Sequence, residues 1–219
     1  MYWVLGAMVS YALGGINSAI AVAWVLHRDD IRRHGSGNAG ASNMFRTYGR
    51  TAALLTLLGD VVKTLAAVAL TRLLFRWIAG GDPGFDPGWF AGMFVVLGHV
   101  FPVWFGFRGG KGVLVAAVTV LAVDPVAFGV MAAFAIAVFM LWRTMSIVAL
   151  ASAAMLPVVI FVLGLFRHPF SWIEVLFSVV YSLLVLWSHR GNIRRIRAGE
   201  EQPLREAGRG PDDPSNHPE

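Results

Sequence analysis

Residues 2–26 contain no charged side chain. They form the first of several apolar runs long enough for a helix to cross a bilayer, which takes about 20 residues. Few folds accommodate such runs. In hydrocarbon every backbone amide and carbonyl must be paired internally, so continuous apolar segments of this length cross as helices. The composition agrees. The 219 residues are 57% hydrophobic and 14% charged, against about 25% charged in soluble domains, and the mean hydropathy is +0.64. That much apolar content excludes disorder for most of the chain. With no cysteine, disulfides, thiolate metal sites, thioesters and Cys nucleophiles are absent. The formal charge of +5 raises nucleic acid as a partner. Basic loops on a membrane protein follow the positive-inside bias instead, and no nucleic-acid partner is expected.

Charge placement orders the spans. No Lys or Arg precedes the first run, whereas Arg28, Arg32 and Arg33 follow it. The expected N-terminus is therefore outside, with residues 28–50 in the cytoplasm. Residues 51–79 return outward, and the loop 80–88 holds Asp82 and Asp86 but no cation. Residues 89–105 come back in, towards Arg108 and Lys111. Residues 113–142 are one overlong span or a hairpin broken at Asp124-Pro125, a turn-favouring pair. Parity selects the hairpin, because a single span would leave Arg190, Arg194, Arg195 and Arg197 outside. Runs 145–166 and 170–187 complete the count. The expected fold is all-α and integral to the membrane, with about seven transmembrane helices, some short or re-entrant, and a cytoplasmic C-terminus. Arg167 is the main exception to the charge rule. Residues 1–199 read as one transmembrane catalytic domain, and 200–219 as a polar, disordered cytoplasmic tail.

This topology gathers the unusual polar clusters on the cytoplasmic side. Gly35-Ser36-Gly37-Asn38-Ala39-Gly40-Ala41-Ser42-Asn43 precedes Arg46. Small residues allow close backbone approach to an anion, and Arg offers a planar fork for phosphate. A flexible loop has the same composition. The second cluster is Gly98-His99-Val100-Phe101-Pro102 with Gly109-Gly110-Lys111-Gly112. Glycines beside a lysine at a helix start supply amides, a positive helix end and an ammonium. It is not a Walker A loop, since Phe105 occupies the position of its first glycine. A tight turn with a snorkelling lysine is the plainer reading. The third cluster runs from His189 through Asn192 and Arg195 to Glu201. A basic juxtamembrane anchor explains its arginines, but not a His/Asn pair at i,i+3. Asp60 and Lys63, also at i,i+3, lie inside the second run. Ionisable residues at such depth are functional candidates unless they neutralise each other.

Taken in order, these clusters resemble the bacterial acyl-phosphate:glycerol-3-phosphate acyltransferases. The matching residues are Gly35-Ser36-Gly37-Asn38-x-Gly40-x-x-Asn43 with Arg46, Asp60-x-x-Lys63 and Gly98-His99-x-Phe101-Pro102. Gly109-Gly110-Lys111-Gly112-Val113, Ser146, His189-x-x-Asn192-Ile193-x-Arg195, Gly199 and Glu201 complete them. The likeness covers about residues 13–201. Thr64, Leu114 and Asn17 depart from the usual Gly, Ala and Pro, and all three are neighbours of motif residues.

The resemblance implies a multi-pass enzyme of the bacterial inner membrane with its active site facing the cytoplasm. The implied reaction moves a fatty acyl group from acyl phosphate to the 1-hydroxyl of glycerol 3-phosphate. Its products are lysophosphatidic acid and phosphate, the first acylation step of phospholipid synthesis. The donor is already a mixed anhydride, so no cofactor, metal or thiol intermediate is expected. Ser36, Arg46, Lys111, His189 and Asn192 are the expected catalytic set. Asn38, Asn43, Gly109, Gly110, Gly112, Ser146 and Arg195 are expected to bind substrate, with Asp60, Lys63, His99 and Glu201 in support. Membrane lipid and the enzyme that makes acyl phosphate are the expected partners. The hydroxyl proton passes to His189 or to a substrate phosphate, and a Ser36 acyl-enzyme ranks below both. None of the six histidines has Asp five positions later, so the charge relay of soluble glycerolipid acyltransferases is unavailable. A small anion or phosphate-ester transporter is the competing class. It would place substrate near the midplane between repeats, and no repeat is visible.

Overall fold

The computed structural model describes residues 1–79, 84–167 and 169–201. Apart from Glu200 and Glu201, the expected tail lies outside them, as does Asp82 of the 80–88 loop. Among the described residues the regular structure is entirely helical. Five helical segments are long and apolar enough to cross a membrane: Tyr2–His27, Ala41–Ile78, Pro87–Phe105, Pro125–Trp142 and Met145–Leu165. A sixth is added if Trp172–Ser188 counts together with Arg190–Ala198, from which it bends by 57°. The seventh apolar run is a helix of 11 residues, Val113–Val123, about 17 Å long at 1.5 Å per residue. Among the described residues there are thus seven apolar segments, five or six of them long enough to cross and Val113–Val123 one of the expected short ones.

The first run is broken. Helix α1 (Tyr2–Gly15) stops and α2 (Ser18–His27) restarts after Asn17. The Asn17 Oδ1 accepts the Ile20 amide at 3.0 Å, an N-cap inside a span. The carbonyls freed at the end of α1 meet a lysine. Lys63 Nζ donates to Ile16 O at 2.8 Å and to Gly14 O at 3.2 Å. A discontinuous helix survives in hydrocarbon only when its freed backbone groups are satisfied in this way.

Helix α3 (Ala41–Leu74) starts earlier than the charge pattern suggests, and is kinked at Gly49, whose φ is 82°. Asn43 and Arg46 therefore stand on a helical turn rather than in a loop. Helix α4 (Pro87–Val100) packs against α1 and α3, with Trp89, Val95 and Val96 wholly buried. Helices α5 (Val113–Val123) and α6 (Pro125–Trp142) form the expected hairpin at Asp124-Pro125. Asp124 Oδ1 accepts the Ala127 amide at 3.0 Å and so caps α6. Its carboxylate also receives both arms of Arg167, at 2.5 and 3.0 Å. The cation that broke the charge rule is thus tied to the hairpin turn. Arg72 binds Asp86 at the same end and reaches Ala122 O at 2.9 Å. Helices α7 (Met145–Leu165), α8 (Trp172–Ser188) and the short basic α9 (Arg190–Ala198) complete the chain. Tyr181 on α8 donates its hydroxyl to Trp89 O, joining α8 to α4 across the core.

Candidate active site

The site has two polar walls and a buried polar hub beneath them. The first wall is the turn leading into α3. Asn43 is 1% exposed, and its amide bonds organise that turn. Its Oδ1 accepts the Ser36 amide at 3.0 Å, while Nδ2 donates to His34 O at 2.9 Å and Ile31 O at 3.2 Å. Asn43 shapes the turn, leaving Ser36 and Arg46 exposed on its surface. Asn38 is half-buried, and its carbonyl accepts the Gly40 amide at 3.0 Å. Asn43→Ala strands the buried Ile31 carbonyl, a loss of about 1–3 kcal/mol when unsatisfied, and frees the part-buried Ser36 amide and His34 carbonyl. The expected result is faster proteolytic cleavage between residues 34 and 40 in vesicles. Cleavage at the parental rate would show that the turn holds without Asn43.

The second wall joins the turn before α5 to the α8–α9 bend. Lys111 Nζ donates to Asn192 Oδ1 at 2.5 Å. Asn192 Nδ2 donates to Glu201 Oε1 at 2.6 Å, and Arg195 Nε donates to Glu201 Oε2 at 2.7 Å. Ser188 Oγ donates to Lys111 O at 2.9 Å, fixing the backbone that carries the lysine. His189 places Nδ1 2.8 Å from Val185 O. A ring nitrogen facing a carbonyl carries the proton, so the lone pair of neutral His189 is on Nε2. Burial opposes ionisation of Glu201, but the Ser146 hydroxyl, Asn192 and Arg195 together hold its pKa below the usual carboxylate value. Ser146 Oγ is buried there without a hydrogen bond of normal geometry, so its effect on Glu201 is that of a nearby dipole. Lys111 is pushed down to about 8 by burial first and then by the charges of Arg195 and Arg46. Three cations therefore share this region with the Glu201 carboxylate, and a bound phosphate would relieve their repulsion.

One expectation changes here. The Gly109 and Gly110 amides are not free donors, because they bond to Val100 O at 3.2 Å and His99 O at 3.0 Å. Glycine is required at both positions by packing. A Cβ on Gly109 would stand 2.0 Å from His99 O, and one on Gly110 2.1 Å from His99 Nε2. The unpaired amides of this wall belong instead to the first turn of α5, which follows Gly112.

The hub lies under both walls. Lys63 Nζ contacts Asp60 Oδ1 at 2.7 Å and His99 Nδ1 at 2.9 Å, besides the two carbonyls of the α1 break. Ser18 Oγ donates to Asp60 Oδ1 at 2.8 Å. Asp60, Lys63 and His99 are all buried. The far edge of the His99 ring abuts Gly110, while Asn17 Nδ2 reaches Ala39 O at 3.3 Å. Each wall is thus seated on the hub through one residue.

Three positions that hold this geometry carry little functional signal in the sequence. Arg32 reads as a topology marker, yet its Nη1 donates to Phe105 O at 2.7 Å and to Arg108 O at 3.3 Å, joining the two turns. Asn17 reads only as a departure from Pro, although an Asn interrupting an apolar run is a helix-start signal. Ser188 has no signal in the sequence.

Residues 4–199 match the family model described as glycerol-3-phosphate acyltransferase. A glycerol-3-phosphate acyltransferase of Pseudomonas fluorescens is 41% identical over 207 residues, covering 92% of this chain and 99% of that protein. One from Burkholderia lata is 38% identical over 205 residues, covering 93% and 92%. Among solved structures, PlsY (YgiH), an integral membrane glycerol 3-phosphate acyltransferase in its glycerol 3-phosphate form, superposes with a TM-score of 0.79 at 27% identity. That match covers 92% of this chain and 94% of the other. The lysophosphatidic acid form of PlsY aligns with a TM-score of 0.76. With its full transmembrane length matched in sequence and in fold, this chain belongs to the glycerol-3-phosphate acyltransferase family.

Proposed function

We propose that the protein transfers a fatty acyl group directly from acyl phosphate to the 1-hydroxyl of glycerol 3-phosphate, at the cytoplasmic face of the bacterial inner membrane. The observation that carries this reading is the junction of a cationic wall with an apolar groove. Between α5, α6, α7 and α8 lies a cavity of about 250 Å³, lined almost wholly by apolar side chains. Its lining includes Val113, Met145 and Val185. Val113 follows the Lys111 turn, Met145 precedes Ser146, and Val185 supplies the carbonyl that orients His189. A ligand with an acyl chain and a phosphate fits that junction, with its carbonyl carbon near the boundary.

In the reaction, the 1-hydroxyl oxygen of glycerol 3-phosphate attacks the acyl carbonyl carbon. The bond from that carbon to the phosphate oxygen breaks, and phosphate leaves with the electron pair. The hydroxyl proton is taken by His189 Nε2 or by a substrate phosphate. Lys111 and Arg46 balance charge on the donor phosphate, beside Ser36, and the first-turn amides of α5 add donors. Asn192, Arg195 and Ser146 position the acceptor, and Glu201 holds Asn192 and Arg195 in place. Orientation of two bound reactants can supply about 7–11 kcal/mol of a barrier, and a mixed anhydride needs no covalent enzyme intermediate. The donor has a greasy tail and a labile bond, so functional coupling to the enzyme that makes it is part of the proposal.

The test uses purified protein in lipid nanodiscs, with acyl phosphate, acyl-CoA and acyl carrier protein thioester offered separately. Phosphate release that requires glycerol 3-phosphate, with lysophosphatidic acid as product and no acyl label on denatured protein, is the expected result. Equal use of a thioester donor would overturn the donor assignment. A stable acyl-protein adduct would overturn direct transfer.

A further inference from the structure

The apolar groove has a floor. Along α7 it is lined by Met145, Ala149, Ala153 and Leu156, positions that share one helix face. At 1.5 Å per residue Leu156 lies about 16 Å from Met145. Val120 on α5 lies about 12 Å beyond Gly112, and Tyr181 on α8 about 12 Å before His189. Phe128 arrives from the other direction, within the first turn of α6 after the Asp124-Pro125 break that ends α5. Val120, Phe128 and Tyr181 therefore reach a similar depth, Leu156 lies within about one turn below them in the same buried cluster, and Ala149 and Ala153 line α7 just above Leu156. Leu156 and Tyr181 are 7% and 1% exposed. The Tyr181 ring is fixed by its hydroxyl bond to Trp89 O. Leu156 and Phe128 have no such tether.

We infer that Leu156, closing the groove with Phe128 and Tyr181, sets the longest acyl chain the enzyme accepts. This rests on the reading of the groove as the acyl-chain site. A chain that ends at the floor buries every methylene it has. A longer one must fold back or leave methylenes outside, and each methylene buried or excluded is worth about fourfold in kcat/KM. The ruler belongs to the geometry of α7. Replacing Leu156 by Ala removes three carbon atoms from the floor and lengthens the passage, and filling Ala153 shortens it.

The experiment measures kcat/KM for saturated acyl phosphates differing by two-carbon steps, using the full chain in nanodiscs. Leu156→Ala should move the optimum at least one step longer, with about a tenfold change in the ratio between neighbouring lengths. Ala153→Leu should move it at least one step shorter. The KM for glycerol 3-phosphate should stay unchanged in both. If Leu156→Ala does not fold, Phe128→Leu takes its place as the lengthening variant. Active variants that keep the parental optimum would overturn the ruler and leave the donor assignment standing. A parental protein that turns over no acyl phosphate of any length would overturn both.

Discussion

Lys111→Ala should lower kcat/KM by about 10³-fold while the protein still unfolds within about 3 °C of the parental temperature. The chemistry explains the size of the loss. In the proposed reaction two phosphate-bearing substrates must meet, and charge grows on the departing phosphate as the anhydride bond breaks. Removing one preorganised donor from such a site costs about 10²–10³ in rate, and here the missing group also carries a full charge. The fold should tolerate the change, because Lys111 is only half-buried and its side-chain bond goes to Asn192, itself held by Glu201. A pH profile separates this role from simple packing. With the ammonium of the free enzyme pushed down to about 8, the charged form is lost as pH rises through that value. Activity in kcat/KM should therefore fall on the alkaline side near pH 8. Lys111→Arg keeps its charge over that range, so its profile should lose the alkaline limb even where its plateau is lower. An unchanged limb in Lys111→Arg would assign it to another group.

Much of this was legible in the chain itself. Charge-free runs and the positions of Arg28, Asp124 and Arg190 were enough for an all-helical membrane fold with a hairpin at Asp124-Pro125. Two spans differ in form from what hydropathy implies, for a physical reason. Hydropathy reports whether a segment prefers lipid, not whether its helix is continuous. The break at Ile16–Asn17 is stabilised by Lys63, 46 residues further on than Asn17, so no local signal reveals it. The start of α3 at Ala41 was hidden because its first turns are polar, and hydropathy ignores polar helices. In the site, the residue types pointed to phosphate chemistry, and the structure brings Lys111, Asn192, Arg195 and Glu201 into one network. The assignment of free amides to Gly109 and Gly110 failed because glycine has two uses. It can expose an amide to a ligand, or it can let a backbone approach another group closely. Sequence does not distinguish the two, and the Gly110–His99 packing shows the second.

The Asp60–Lys63–His99 hub should behave as a single energetic unit, and Lys63→Met should be the most damaging single change to it. That variant leaves the Asp60 carboxylate buried with Ser18 as its hydrogen-bond donor, and it frees the Gly14 and Ile16 carbonyls at the α1 break. Removing one partner of a buried ion pair costs about 3–5 kcal/mol, enough to deplete a marginally stable fold. Asp60→Asn should be milder, because the ammonium keeps two carbonyls and the His99 ring around it. The double variant Asp60→Asn/Lys63→Met should regain part of the loss, since no buried charge is left unpaired. It should not regain all of it, because the α1 carbonyls remain without a donor. The folded fraction after extraction, together with the thermal midpoint, measures each step, and the cycle gives the coupling directly. Additive losses would show that Asp60 and Lys63 act independently, which their 2.7 Å contact does not lead one to expect. Function adds a second readout. The hub supports Ala39 through Asn17 and Gly110 through His99, so the double variant that still folds should show a raised KM for glycerol 3-phosphate. A double variant with parental KM would mean that the walls keep their spacing without the charges beneath them, and the hub would then hold the broken first helix alone.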